Sequence, residues 1–267
     1  MSSRHRARCP ELGGSETTGR SEVNPKEGTE MVDLSVWQGY ATQCKGEILV
    51  WINQTDALKG TGSEGVCNAI TRDWIDSLDS IRARAAFYNN FRCLNEAGQF
   101  RDYCMPAGYI QRQKKLEAEN KARQKTLTKL RLDAQAYEKK HPGDTTKSEK
   151  VFKLEASLMG GPKCQDVFPL DTREDVIEHL NLAKGTSFAG ALHLLTDSGG
   201  HAVALEFQPG KEGGEDDFVY HFIDPNTGWF AFSQYNHLRV FVQVVVLKNY
   251  YPASKYNRFK IYHYRWI

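Results

Sequence analysis

One stripe of apolar residues begins just after Cys67 and repeats at helical spacing. Its members are separated by four, four and three positions, which is the spacing of one helix face. Residues 60–65 precede the stripe and are rich in glycine, as is typical of a loop. The pattern therefore predicts a helix that starts close to Cys67. The stripe consists of Ile70, Trp74, Leu78 and Ile81.

The second half of the chain changes from helical to strand periodicity. The sequence Asp171–Glu174 resembles a capping box and predicts the start of a helix. Apolar or alternating residues over Ser187–Leu195, His201–Phe207 and Phe218–Ile223 predict three strands. Only a turn and one polar loop separate these strands, so we expect an antiparallel meander.

Two later segments carry different patterns. Ser233–Tyr250 is rich in valine, which favours a strand, but its apolar residues also fit one face of a helix. Periodicity alone leaves both interpretations open. Aromatic and basic residues alternate in Tyr256–Ile267, and this alternation predicts a terminal strand.

Length and composition are those of an ordinary globular protein. Of the 267 residues, 40% are hydrophobic and 25% are charged. No apolar run is long enough for a transmembrane helix, and a net charge of +2 gives no reason to expect nucleic acid as a partner. Residues 1–30 are polar and lack the apolar core of a Sec signal peptide. We expect a disordered leader there, which would also suit a non-cleaved secretion signal, and a folded domain over residues 31–267.

A basic segment interrupts the middle of the chain. Residues 111–150 contain 12 Lys or Arg and 6 Asp or Glu, a net charge of +6, with only a thin apolar stripe. The segment predicts an amphipathic helix within a basic helical insertion at about residues 105–163. One interpretation is a solvated helix that packs by one edge. The other is a docking surface in 111–150 for an acidic partner or an anionic membrane.

The six cysteines do not form a recognisable metal or disulfide pattern. No pair has the CxxC spacing of a zinc site, and free thiols in a reducing compartment fit the sequence best. Cys67 differs from the others because it follows a glycine-rich loop and begins a predicted helix. A helix N-terminus favours the thiolate, and glycines allow a substrate backbone to approach. The alternative for Cys67 is a small buried apolar side chain.

A histidine and an aspartate follow Cys67 in the order expected of a thiol catalyst. His201 begins a predicted strand after a turn of small residues, and Asp224 ends the next strand. If these strands pair, the carboxylate lies beside the imidazole and orients it. His193 and His221 are competing histidines, and Asp224 could instead only cap the Asp-Pro-Asn turn.

Three short motifs resemble the YopT-type cysteine proteases, a papain-clan family of bacterial effectors. They are Glu64–Cys67 with Trp74 downstream, Gly200–Ala204, and Ile223–Phe230. The resemblance implies a papain-like α+β fold, in which helices flank a central antiparallel sheet, and it favours a helix for Ser233–Tyr250.

The same resemblance implies the roles of the site residues. Cys67 would be the nucleophile, His201 the general base and Asp224 the orienting carboxylate. In papain-like sites an upstream amide side chain joins the backbone N–H of the cysteine in binding the oxyanion. Gln43 and Gln54 are the candidates, with Gln43 slightly preferred. No metal or organic cofactor is expected.

The implied function is the cleavage of a host protein by an effector. It would be secreted by a bacterium without a Sec signal and would act in the host cell cytoplasm. Glutamine deamidation is an alternative, because the same triad can attack a side-chain amide. A second alternative is a non-catalytic module that binds a host protein through residues 111–150.

Overall fold

A seven-stranded antiparallel sheet forms the centre of the described chain, in the order β1-β6-β5-β4-β3-β7-β2. The computed structural model describes residues 33–61, 65–92, 108–197, 199–208, 219–251 and 255–264. The predicted disordered leader, residues 1–30, lies outside them. The strands are β1 (Gly46–Val50), β2 (Cys164–Leu170), β3 (Phe188–Leu195), β4 (Gly200–Phe207), β5 (Tyr220–Asp224), β6 (Gly228–Phe232) and β7 (Arg258–Tyr264).

Helices flank this sheet, which confirms the α+β class with a central antiparallel sheet. The helices are α1 (Leu34–Gln43), α2 (Gln54–Ala57), α3 (Cys67–Asp76), α4 (Ile81–Phe91), α5 (Tyr109–Lys140), α6 (Thr146–Glu155), α7 (Arg173–Ala183) and α8 (Tyr235–Val240). The predicted meander is confirmed, because β3, β4 and β5 are neighbours in the sheet. The predicted terminal strand is β7, which pairs with both β2 and β3.

Strand alternation divides the apolar residues between two cores. In β5, Phe222 packs into one core and Ile223 into the other, since neighbouring side chains point to opposite faces of a sheet. The first core contains α7, α8 and the segment that follows α8. The second core contains α3 and α4, with Trp74 fully buried in it. The sheet is therefore covered by apolar side chains on both faces.

The helix predicted after Cys67 is shorter than its apolar stripe. Helix α3 ends at Asp76, and a short 3₁₀ turn follows. Ser80 then caps α4 by accepting a hydrogen bond from the N–H of Ala83. Ile81 is therefore the first residue of a second helix and is 92% exposed, so its assignment to the same helix face as Ile70 and Trp74 is wrong.

The valine-rich segment Ser233–Tyr250 is helical. Helix α8 continues without a break into a π-helical stretch, Phe241–Tyr250. The stretch buries Phe241, Val242 and Val246 against the sheet, so tertiary packing overrides the strand propensity of valine. Tyr251 follows directly and is also buried.

The basic segment is attached to the fold rather than separate from it. Helices α5 and α6 both lie within it, and α5 buries Leu127 and Ala134. Glu155 at the end of α6 is buried and pairs with Arg131 of α5 and Lys260 of β7, the latter at 2.6 Å. Within the described ranges, no helix is long and apolar enough to cross a membrane.

Substituting Glu155 tests whether this ion pair network anchors α5. We expect Glu155→Gln to lower the free energy of unfolding by about 3 kcal/mol, because it leaves two partly buried cations without their partner. Glu119→Gln is the matched control, because Glu119 pairs with Arg123 at the surface of α5, and it should cost at most about 1 kcal/mol. Urea unfolding at neutral pH measures both.

The pH dependence of the same variants gives a second check. Burial raises the pKa of Glu155, but the hydrogen bonds and charges of Lys260 and Arg131 together lower it by a larger amount. The net shift of the pKa is therefore downward. The stabilisation is thus present above the ordinary glutamate pKa of about 4.3 and is lost as the pH falls through the lower, folded value. Equal losses in the two variants at neutral pH would contradict the anchoring role of Glu155.

Candidate active site

Cys67 is the first residue of helix α3. Its side chain is partly exposed, and the backbone N–H groups of Asn68 and Ala202 donate hydrogen bonds to the sulfur. Thr71, one turn further along α3, donates from its hydroxyl to the carbonyl of Ala202 at 3.0 Å. This bond joins α3 to the start of β4, so the helix that carries the thiol is fixed against the strand that carries His201.

His201 and Asp224 are in direct contact. The Nε2 atom of His201 lies 2.8 Å from Oδ1 of Asp224, and both side chains are buried. The strands that carry them pair in antiparallel register, with Ala204 opposite Ile223. This pairing brings the start of β4 beside the end of β5. The imidazole also makes a hydrogen bond with the thiol of Cys67, so the structure brings Cys67, His201 and Asp224 together.

The charges of these groups favour a thiolate–imidazolium pair. Burial alone would raise the pKa of the Cys67 thiol, but the hydrogen bond and the charge of His201 lower it, and the net shift is downward. Burial would lower the pKa of His201, but the charge and hydrogen bond of Asp224, together with the thiol, raise it to about 10. Both shifts favour a proton on the imidazole and a thiolate on Cys67, and the thiolate is the form in which a cysteine reacts as a nucleophile.

Tyr251 is a positioning residue that the sequence did not reveal. Its hydroxyl donates to Oδ2 of Asp224 at 2.7 Å, and its ring stacks on that of His201 with centroids 5.0 Å apart. Burial and the charge of Asp224 raise the pKa of Tyr251 well above its usual value, so the hydroxyl keeps its proton. Asn226 completes the set, because its backbone N–H donates to Oδ1 of Asp224 at 2.8 Å. No periodic pattern marks Tyr251, since its role depends on how the π-helical stretch ends.

Gln54 lies at the site and is linked to Asp224 through Asn226. Its Oε1 accepts from the N–H of Val66 at 2.8 Å, and its Nε2 donates to Oδ1 of Asn226 at 2.7 Å. The first bond fixes the orientation of the amide, so that Nε2 is the group beside the turn that follows Asp224. The amide has a second N–H on Nε2 with which to bind a developing negative charge.

Gln43 lies elsewhere in the structure. It is the last residue of α1, is exposed, and does not appear among the described residues that line the site. The geometry therefore favours Gln54 over Gln43, which reverses the order expected from the sequence. The sequence contains no direct signal for this choice, because it depends on how the loop before Cys67 folds back.

A cavity of about 580 Å³ opens beside the thiol. Cys67, His201 and Gln54 line it, and Gln113 and Glu117 of α5 form part of its wall. Gln113 is buried, and its Oε1 accepts from the N–H of Ala69 in the first turn of α3 at 3.0 Å. The basic segment thus contributes directly to the wall of the site and to the end of the helix that carries Cys67.

The competing histidines are engaged in other contacts. The ring of His193 packs against Tyr262, and Nδ1 of His221 accepts from the indole N–H of Trp229 at 3.2 Å. Burial lowers the pKa of each to about 4, so both are neutral at physiological pH. In the part of the chain that the structure describes, no group of three His, Cys, Asp or Glu side chains could hold a metal ion.

Comparison with known proteins gives a structural likeness but no sequence match. No family model matches the chain, and no curated protein sequence matches it. The crystal structure of the Pseudomonas avirulence protein AvrPphB aligns with a TM-score of 0.40 and 11% sequence identity. The alignment covers 75% of this chain and 92% of AvrPphB. At this identity and TM-score the likeness assigns no function, and the site is interpreted from its own side chains.

Thiol labelling tests the charge state of Cys67. Alkylation should occur fastest at Cys67, with a midpoint well below the usual thiol pKa of about 8.5, because the imidazolium stabilises the thiolate. In His201→Ala the midpoint should rise, since only the N–H groups of Asn68 and Ala202 then oppose the effect of burial on the thiol pKa. Cys164 is an internal control, because burial raises its pKa to about 12. Intact-mass spectrometry with peptide mapping measures the rates, and equal profiles at both cysteines would contradict activation.

Removing the Tyr251 hydroxyl tests its positioning role. Tyr251→Phe keeps the ring that stacks on His201 but leaves Oδ2 of Asp224 without its donor. We expect the alkylation rate of Cys67 at neutral pH to fall about tenfold, with a shifted pH profile, and stability to fall by about 1–3 kcal/mol. A loss of stability with an unchanged pH profile would mean that Tyr251 only supports the fold.

Proposed function

We propose that the chain is a papain-like cysteine protease that cleaves a host protein. The observation that carries this proposal is the hydrogen-bonded row of Cys67, His201 and Asp224, with the thiol at a helix N-terminus. The three sequence motifs that resemble YopT-type proteases contain these same residues, which supports the same conclusion independently of the geometry.

The first half of the reaction forms an acyl-enzyme. The thiolate of Cys67 attacks the carbonyl carbon of the scissile peptide bond, and the carbonyl oxygen takes the negative charge. The backbone N–H of Cys67 and the Nε2 of Gln54 would donate to that oxygen, a contribution of about 3 kcal/mol for such a donor. The imidazolium of His201 then gives its proton to the departing nitrogen, the C–N bond breaks, and a thioester remains on the sulfur.

The second half releases the acid product. His201, now neutral, takes a proton from a water molecule as the water oxygen attacks the thioester carbonyl. The C–S bond breaks, the product leaves as a carboxylic acid that loses its proton to solvent, and the thiolate–imidazolium pair is restored. Asp224 keeps the ring oriented and stabilises its positive charge in both halves, with Tyr251 holding the other carboxylate oxygen.

Two glycines on the cavity wall favour an extended main chain as the substrate over an isolated side-chain amide. Gly65 lies two positions before Cys67 and Gly199 two positions before His201, and both line the cavity. A Cβ added at Gly199 would meet nothing within 4 Å, and one at Gly65 only Oε1 of Gln54, at 4.0 Å. Since the fold does not need their small size, we infer that a substrate backbone does, which supports proteolysis over glutamine deamidation.

The place of action follows from the sequence resemblance. The family consists of bacterial effectors, and the polar leader suits secretion without a Sec signal. We therefore propose that the enzyme acts in the cytoplasm of a host cell, on a host protein. The proposed chemistry uses only side chains and backbone groups of the chain together with water.

Cleavage assays on a host-cell lysate test the proposal. We expect new N-termini with the wild-type protein, and a loss of at least about 1000-fold with Cys67→Ala or His201→Ala. The cleavage rate should fall as the pH rises through about 10, because His201 then loses the proton that it gives to the leaving nitrogen. The alkylation rate of Cys67 should not fall there, because alkylation needs only the thiolate. If glutamines were deamidated and no new N-termini formed, the proposed activity would be deamidation instead of proteolysis. The absence of both kinds of product would overturn the proposal that the chain is an enzyme.

Gly199→Ala is the sharper test of substrate shape. The added methyl meets no neighbouring atom, so folding and Cys67 alkylation should stay unchanged. Cleavage of a protein substrate should nevertheless fall about tenfold or more, because the methyl narrows the space for the main chain. An unchanged cleavage rate would show that the substrate does not pass this wall.

A further inference from the structure

One face of helix α5 carries lysines and no acidic residue. Helix α5 is 32 residues long, which corresponds to about 48 Å. At about 3.6 residues per turn, five exposed lysines fall within about a quarter of its circumference. We call this the lysine face, and it consists of Lys114, Lys121, Lys125, Lys129 and Lys139. The four acidic residues of α5 lie outside it, at Glu117, Glu119, Asp133 and Glu138.

The arginines of the same helix point towards the fold instead. Arg112 pairs with Asp73 of α3 at 2.6 Å, and Arg131 pairs with the buried Glu155. Arg123 donates to the carbonyl of Leu158 at 2.8 Å. The helix therefore uses its forked guanidinium groups for specific internal contacts and its lysines for the outer surface. Among the described residues, none of the lysines of the lysine face forms an ion pair.

The inner side of α5 packs against the fold, so the lysine face points away from it. Leu127 and Ala134 are buried on the side opposite to the lysine face, and Gln113 is bonded to the first turn of α3. The lysine face is therefore a fixed feature of the fold, and its charges do not depend on a flexible tail.

We propose that the lysine face docks the enzyme on an anionic lipid membrane. Lysine is a point charge that attracts an anionic surface without requiring a fixed partner geometry, whereas recognition of a structured carboxylate site favours arginine. Five lysines along one face of a single helix also match a plane of headgroups. Leu132 lies on the centre line of the face and is 61% exposed, and a bilayer interface accepts such a side chain among cations.

Docking in this orientation would bring the site close to the membrane. The first turns of α5 hold Gln113 and Glu117, which line the cavity beside Cys67, and Lys114 lies between them in the chain. The lysine face and the cavity wall therefore share one helix. Substrates that are themselves attached to a membrane would be met at high local concentration.

Vesicle sedimentation tests the docking proposal independently of catalysis. The full chain should bind vesicles of phosphatidylcholine with phosphatidylserine and should not bind vesicles of phosphatidylcholine alone. Replacing Lys121, Lys125 and Lys129 by Gln should lower the partition coefficient by about 100-fold, at about 1 kcal/mol per lysine. Added salt should weaken binding, because the Debye length falls from about 10 Å at 0.1 M to about 3 Å at 1 M.

A charge-matched variant separates the lysine face from net charge. Lys45 and Lys184 are exposed in turns and Lys248 is exposed in the π-helical stretch, and replacing all three by Gln changes the net charge by the same amount. We expect that variant to keep most of its binding and both variants to keep the alkylation profile of Cys67. The proposal would be overturned by equal losses of vesicle binding in the two triple variants, by binding that does not change with salt, or by no binding to anionic vesicles. If the lysine face bound only an acidic protein, that protein would be the partner instead of the membrane.

Discussion

The site depends on how the negative charge of Asp224, which is buried away from water, is stabilised. An isolated carboxylate in a protein interior costs several kcal/mol, so it must receive hydrogen bonds and a positive partner. Here the hydroxyl of Tyr251, the backbone N–H of Asn226 and the imidazole of His201 supply them. The positive charge on His201 that satisfies Asp224 is the same charge that lowers the pKa of Cys67. The same positive charge therefore stabilises the buried carboxylate of Asp224 and makes the thiol of Cys67 more reactive.

Local patterns predicted those parts of the fold that are settled by neighbours in sequence. The helix at Cys67 follows from a stripe and a loop, and the pairing of β4 with β5 that brings Asp224 to His201 follows from strand alternation on either side of one polar loop. The end of α3 was missed, because the helical spacing of the apolar residues continues across the junction between α3 and α4, where Ser80 caps α4. Spacing alone does not record whether one helix or two carry these residues, and Ile81 at the start of the second helix is exposed.

Long-range choices could not be predicted in this way. Gln43 and Gln54 are equivalent as upstream amides, and only the fold of the loop at Val66 distinguishes them. Tyr251 looks like one more aromatic residue until a π-helical stretch places it over His201. The contribution of Gln113 was hidden for another reason: it lies in a charged segment whose composition suggests solvent rather than a wall of the cavity. In each case the information lies in a contact between distant parts of the chain.

The order in which the contacts occur along the chain has a consequence for synthesis. Cys67 leaves the ribosome early, but the residue that holds its aspartate is Tyr251, and β7, the strand between β2 and β3, comes later still. A nascent chain that carries the nucleophile therefore lacks the means to activate it until nearly all of the described residues have been made. The cell that makes the protein is thus exposed to a reactive thiol only once translation of the domain is almost complete.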